Sequence, residues 1–195
     1  MESSGVTAMA GTAAEDLVHD HEVLSGILSE YERVFAEGNL PEAATLLDYF
    51  WARLALHIRA EHHVLFPRIY EKAAVSSSPP LKEVEAVFST LRKDHDLFMA
   101  ALAEAVTTLK ALAQAPREPA RKEILGRIAK YVESVKGRLD SHNILEEGKV
   151  YLWLDLGRRP EERAEVAGAI RKELENFPPR FREQLPKLEF ERKHA

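Results

Sequence analysis

The sequence predicts an all-α protein: an up-down-up-down four-helix bundle with a short C-terminal helical extension. Three observations lead there. Apolar residues recur at three- and four-residue steps through four long segments, the period of a helix face turned toward a core. Proline- and glycine-bearing stretches punctuate the chain between those segments. No segment combines strand alternation with hairpin turn residues.

The first helix opens at Thr12, where Thr12-Ala-Ala-Glu15 fits a capping box, and Gly38 stops it. Its inward stripe is Leu17, His21, Leu24, Leu28, Tyr31 and Phe35. Asn39 and Pro41 start the second, with Leu46, Leu47, Phe50, Leu54, His57, Glu61 and Leu65 inward. Pro67 lies inside this segment and is expected to kink it. A loop at Ser76-Ser77-Ser78-Pro79-Pro80 leads to the third helix, to about Ala113, with Val84, Val87, Phe88, Leu91, His95, Phe98, Leu102 and Leu109 buried. Pro116 and Pro119 bracket the next turn. The fourth helix runs from about Ala120 to Leu156, with Ile124, Ile128, Tyr131, Val135, Leu139, His142, Glu146, Val150 and Trp153 inward, and Gly157 ends it. A charged helix follows from Pro160 to Glu175, and Pro178, Pro179 and Pro186 break the remainder. The expected domain plan is a disordered lead-in over 1–11, the bundle over 12–157, and a C-terminal helix with a Pro-punctuated, partly ordered tail over 158–195.

Composition narrows the chemistry. Over 195 residues the formal net charge is −5, and no basic stripe is present to bind nucleic acid or an anionic membrane. Cysteine is absent, which removes disulfides, thiol catalysis and thiolate metal sites, so any metal must be held by nitrogen and oxygen. No apolar run approaches the ~20 residues of a transmembrane helix, and Met1 to Gly11 lacks the basic start and apolar core of a signal peptide. The expected location is the cytoplasm.

One arrangement carries chemistry. His57-x-x-x-Glu61 and His142-x-x-x-Glu146 repeat the same device, and Asp20-His21 and Asp94-His95 precede them in turn. Helix 1 thus echoes helix 3 and helix 2 echoes helix 4, as two helical hairpins related by an approximate twofold would. Residues four apart are turned only about 40° from each other on a helix, so each His/Glu pair faces one way, onto the apolar stripe. Burying an unpaired ionisable group costs several kcal/mol. Six such groups at a common level, with no matching buried Arg or Lys in the pattern, point to cations.

The remaining polar residues read more plainly. His19 is about 200° from His21 and is expected in solvent. His62 and His63 rotate off the Glu61 face to the rim, His194 is a tail residue, and Glu147 points away from the site. Asp20 and Asp94 read as charged flanks, with orientation of ligand histidines from a neighbouring helix as the alternative. Tyr31, Tyr131 and Trp153 read as core, and Met99 as core lining near the metals.

At these residues, over roughly Glu15 to Leu156, the chain resembles the hemerythrin-like, or HHE cation-binding, family. The Leu65-Phe66-Pro67 run after the helix-2 pair also looks like that family. The resemblance implies a metal site made of His21, His57, Glu61, His95, His142 and Glu146, holding two Fe ions with an oxo or hydroxo bridge. Zn or Mn would also suit these ligand types. The oxygen-carrying members have a second histidine one turn after the first on helix 3, where this chain has Met99, so the site is expected to be more open. The function expected is a non-haem di-iron protein that binds or reacts with oxygen, nitric oxide or peroxide in sensing or stress protection. A peroxide-decomposing or iron-repair di-iron enzyme, and a metal-stapled interaction module with a protein partner, stand beside it. The members that repair iron centres commonly carry an N-terminal cysteine-bearing module, which this chain lacks. Within the bundle segment, 12–157, Glu-x-x-His, the ferritin-like signature, does not occur.

Overall fold

The computed structural model describes residues 11–115 and 118–181, and within them the chain is all-helical with no strand. Helix α1 spans Ala13–Ala36 and α2 spans Leu40–Ala60; a π-helical turn, Glu61–Leu65, joins α2 to α3, Phe66–Ser76. Helix α4 spans Leu81–Gln114 and α5 Arg121–Leu145, and a second π turn, Glu146–Val150, joins α5 to α6, Tyr151–Asp155. Helix α7, Pro160–Leu174, and a single 3-10 turn, Pro179–Phe181, follow. The expected lead-in, Pro116, Pro186 and His194 lie outside the described residues, Gly11 apart.

Local chemistry sets the boundaries. At the start of α1 the Glu15 amide donates to Thr12 Oγ1 at 3.2 Å and the Thr12 amide donates to Glu15 Oε2 at 2.7 Å, closing the capping box. Gly38 follows α1 at φ +80°, a left-handed conformation that a side chain would strain. Asn39 then caps α2 by accepting from the Glu42 amide, with Pro41 in the first turn.

Helix α1 packs on α2, α2 on α4, and α4 on α5. The core is divided into two apolar clusters. One gathers Leu24, Leu28, Phe50, Leu54, Phe98, Leu102, Val135 and Leu139; the other gathers Leu17, Leu65, Phe66, Phe88, Leu91, Val150 and Trp153. Along α1 the buried apolar residue before His21 is Leu17, of the second cluster, and those after it, Val23 and Leu24, belong to the first; along α4, Leu91 and Phe98 flank His95 in the same way. The histidines therefore occupy a layer between two oily blocks.

One expectation needs correcting. Tyr131 is 36 % exposed, and Val132 takes the buried position. The α5 stripe runs Ile128, Val132, Val135, Leu139 and His142, and Tyr131 falls about 100° short of Val132 at its edge. After Gly157, α7 lies against α1 and α2 and buries Val166, Ala167 and Ile170 in the second cluster. Arg171 Nε donates to Asp16 at 2.7 Å and Arg59 Nε to Glu173 at 2.6 Å, tying both faces of α7 down. The three apolar residues share one side of an otherwise charged helix, a stripe too short to stand out in sequence. Ile170→Ala is expected to cost roughly 2–5 kcal/mol of unfolding free energy, measured by urea denaturation; a change near zero would show that α7 does not belong to the cooperative unit.

Candidate metal centre

The structure brings all six predicted residues together. His21 comes from α1, His57 from α2, Glu61 from the first π turn, His95 from α4, His142 from α5 and Glu146 from the second π turn. Each is at most 5 % exposed, and both glutamates are fully buried. The histidines form two pairs, His21 with His57 and His95 with His142, whose Nε2 atoms lie 3.1 and 3.0 Å apart.

The carboxylates join the pairs. Glu61 places Oε1 3.6 Å from His57 Nε2 and Oε2 3.3 Å from His95 Nε2. Glu146 places Oε2 3.3 Å from His21 Nε2 and Oε1 3.0 Å from His142 Nε2. Each glutamate thus offers one oxygen to each histidine pair, as a carboxylate between two cations would. Atoms of Glu61, His95, His142 and Glu146 converge within 4.8 Å, as do atoms of His21, His57 and Glu146.

The backs of the imidazoles fix their tautomers. His57 Nδ1 lies 2.9 Å from Asp20 Oδ2 and His21 Nδ1 lies 2.7 Å from Glu147 Oε1. A carboxylate only accepts, so both Nδ1 atoms carry protons and, in the neutral rings, both Nε2 atoms present lone pairs. Two lone pairs 3.1 Å apart, beside carboxylate oxygens, repel unless a proton or a metal ion lies among them. Glu61 Oε2 and Glu146 Oε1, buried without a hydrogen-bond donor, tell the same story from the oxygen side. The donor set fits a metal.

Three further residues were read differently in the sequence. Glu147 was expected to point away, and instead reaches His21. His62, expected at the rim, does lie there half-buried, but its Nε2 meets His95 Nδ1 at 2.9 Å. Asp20, read as a charged flank, is 2 % exposed and holds His57 while pairing with Arg53 at 2.6 Å. Asp94 stands 3.5 Å from His142 Nδ1 and pairs with Arg138 at 2.9 Å. His19 is exposed, as expected. Met99, read as core lining, is half-buried: it packs on the first apolar cluster and lines an outer groove with Trp51, Ala55 and Phe177.

Tyr151 had no signal in the α-helical pattern, since a residue five after Glu146 falls about 140° off its face in an α-helix. The π turn changes this. Its wider turn takes one more residue, and the Tyr151 amide donates back to the Glu146 carbonyl. The phenol then lies 3.2 Å from Glu61 Oε1, 3.4 Å from Glu146 Oε2 and 3.2 Å from His21 Nε2. In the other π turn the Phe66 amide donates to the Glu61 carbonyl. The departure from α geometry thus precedes Pro67, and its twin has no proline at all, so the proline kink expected there is a π turn that the site shares on both sides.

Without metal, the cluster exchanges charge internally. Burial would lower His95, but the adjacent Glu146 and Glu61 carboxylates outweigh this and raise it to about 9. Burial likewise opposes, and Glu61 and Asp20 outweigh, so His57 is raised well above its ordinary value. Burial would raise Glu146, but His142, His21 and His95 hold it well below the carboxylate range. Burial and the two glutamates push the Tyr151 phenol well up, so it stays a hydrogen-bond donor.

This fold and site define a helical cation-binding domain. The chain belongs to the hemerythrin HHE cation-binding domain family, whose family model matches residues 12–154. No curated protein and no solved structure matches the chain significantly.

In the metal-free chain, the raised His95 contributes stability in full below about pH 6.5, and this is lost as pH rises through about 9. The depressed Glu146 contributes above its ordinary 4.5 and loses this as pH falls. With chelator present, the denaturation midpoint is therefore expected to be lower at pH 9.5 than at pH 6.5. Equal midpoints would show that the histidines hold no such protons.

Proposed function

We propose that the chain holds a non-haem di-iron centre that binds or reacts with a small ligand, such as oxygen, nitric oxide or peroxide, in a sensing or stress-protection role. His21 and His57 would hold one iron, His95 and His142 the other, with Glu61 and Glu146 shared between them. The observation that carries this reading is the placement of one oxygen of each glutamate toward each histidine pair. Imidazole and carboxylate suit iron, although manganese and zinc accept the same donors. Bound iron supplies redox change and open coordination positions.

The protein's own residues set the limits on the ligand. Every member of the cluster is buried, so a molecule of few atoms is the kind that reaches it. Such a ligand meets one hydroxyl donor, Tyr151, at the carboxylates. With four histidines and no second one on α4, where Met99 turns outward, positions are left for it. An up-down-up-down hemerythrin-like bundle ending near residue 157 is the architecture that goes with this reading, with α7 as an accessory helix. None of the helices among the described residues is long and apolar enough to cross a membrane, and a cytoplasmic location accords with a cysteine-free chain.

The test is metal content with the visible spectrum. Two irons per chain are expected, with a band that shifts on exposure to nitric oxide or azide. The Glu61→Ala, Glu146→Ala double variant is expected to retain fewer than two; full retention would remove these residues from the site. A fully loaded protein whose spectrum ignores every small ligand would favour a structural metal. In either case affinity should fall in acid, because protons compete for the same imidazole nitrogens.

A further inference from the structure

The two halves of the centre repeat each other residue by residue. Arg53, His57 and Glu61 recur as Arg138, His142 and Glu146, each four apart, and Asp20-His21 recurs as Asp94-His95. The aromatic five residues past each glutamate lies over a histidine: Tyr151 stacks on His21 at 5.8 Å between centroids, Phe66 on His95 at 6.3 Å. The residue after each glutamate lies behind the same histidine, Glu147 behind His21 and His62 behind His95.

Against this repeat the differences are specific. Behind the His21/His57 pair stand two carboxylates in hydrogen-bond contact, Glu147 at 2.7 Å and Asp20 at 2.9 Å. Behind the His95/His142 pair stand an imidazole, His62 at 2.9 Å, and a more distant carboxylate, Asp94 at 3.5 Å, which pairs with Arg138. A carboxylate accepting the outer N–H makes an imidazole a stronger metal donor; a neutral acceptor does so less. His62 presents an imidazole nitrogen to His95 Nδ1, where Glu147 presents a carboxylate oxygen to His21 Nδ1.

Resting on the two-metal reading above, we propose that the two positions are inequivalent: the His21/His57 position takes its cation first and holds it more tightly, and Glu147 and His62 are the positioning residues that set the difference. Replacing an outer partner of a metal-bound histidine shifts affinity by roughly 10- to 100-fold. Both residues are partly exposed, so they can be changed without opening the core.

The experiment titrates the metal-free full chain with Co2+ and follows its visible absorption. Two resolved steps are expected. Glu147→Gln should weaken the tighter step by roughly 10- to 100-fold and draw the two together. His62→Glu should tighten the weaker step by about tenfold or more, whereas His62→Gln, which keeps a neutral acceptor, should leave it in place. Coincident steps in the unaltered chain, or steps that ignore Glu147→Gln and His62→Glu, overturn the inequivalence. So does His62→Gln shifting the weaker step as far as His62→Glu. Uptake of fewer than two cations by the unaltered chain is a different result: it removes the two-metal reading itself.

Discussion

Four imidazoles and two carboxylates buried between two apolar clusters are the constraint on which the rest of this structure depends. Such a layer is costly to bury unless every donor and acceptor is matched. The protein matches the outward side at three of the four histidines. Asp20, Glu147 and His62 take the Nδ1 atoms of His57, His21 and His95, while the Nε2 atoms and glutamate oxygens are turned toward one another. The mismatch at the centre is what a pair of cations relieves, and it explains why the metal-free cluster draws protons onto His57 and His95.

The backbone is shaped to the same end. Both π turns begin at a cluster glutamate, and both turn the residue five further on toward the site. Each interrupts an otherwise continuous rod, α2 into α3 and α5 into α6, without breaking it. A π turn gives up regular α geometry for the placement of a few side chains, and such turns are concentrated at functional sites. Here they serve both the shared carboxylates and the aromatic residues over the histidines, Phe66 on one side and Tyr151 on the other.

Much of the fold was legible because it rests on local rules. The capping box at Thr12, the stop at Gly38 and the apolar stripes of α1, α2 and α4 need only short-range chemistry and helical period. The six cluster residues were legible for the same reason: His and Glu four apart share a face, and the face was marked by Leu and Phe. Tyr131 was misplaced because it sits at the edge of the α5 stripe, where period alone does not choose between it and Val132. Met99, one turn after His95, packs half-buried on the first apolar cluster and also lines the groove under Phe177.

The sequence by itself determined an all-helical chain and a buried ring of nitrogen and oxygen donors, since spacing, capping and hydrophobic period are properties of one helix at a time. Only the tertiary structure decided which residue stands behind each histidine, and that Tyr151 enters the cluster. Those contacts join α1 to the second π turn, the first π turn to α4, and α6 to the first π turn. They depend on how helices are set against one another and on a local widening of the backbone, and neither is written in the period of a single helix.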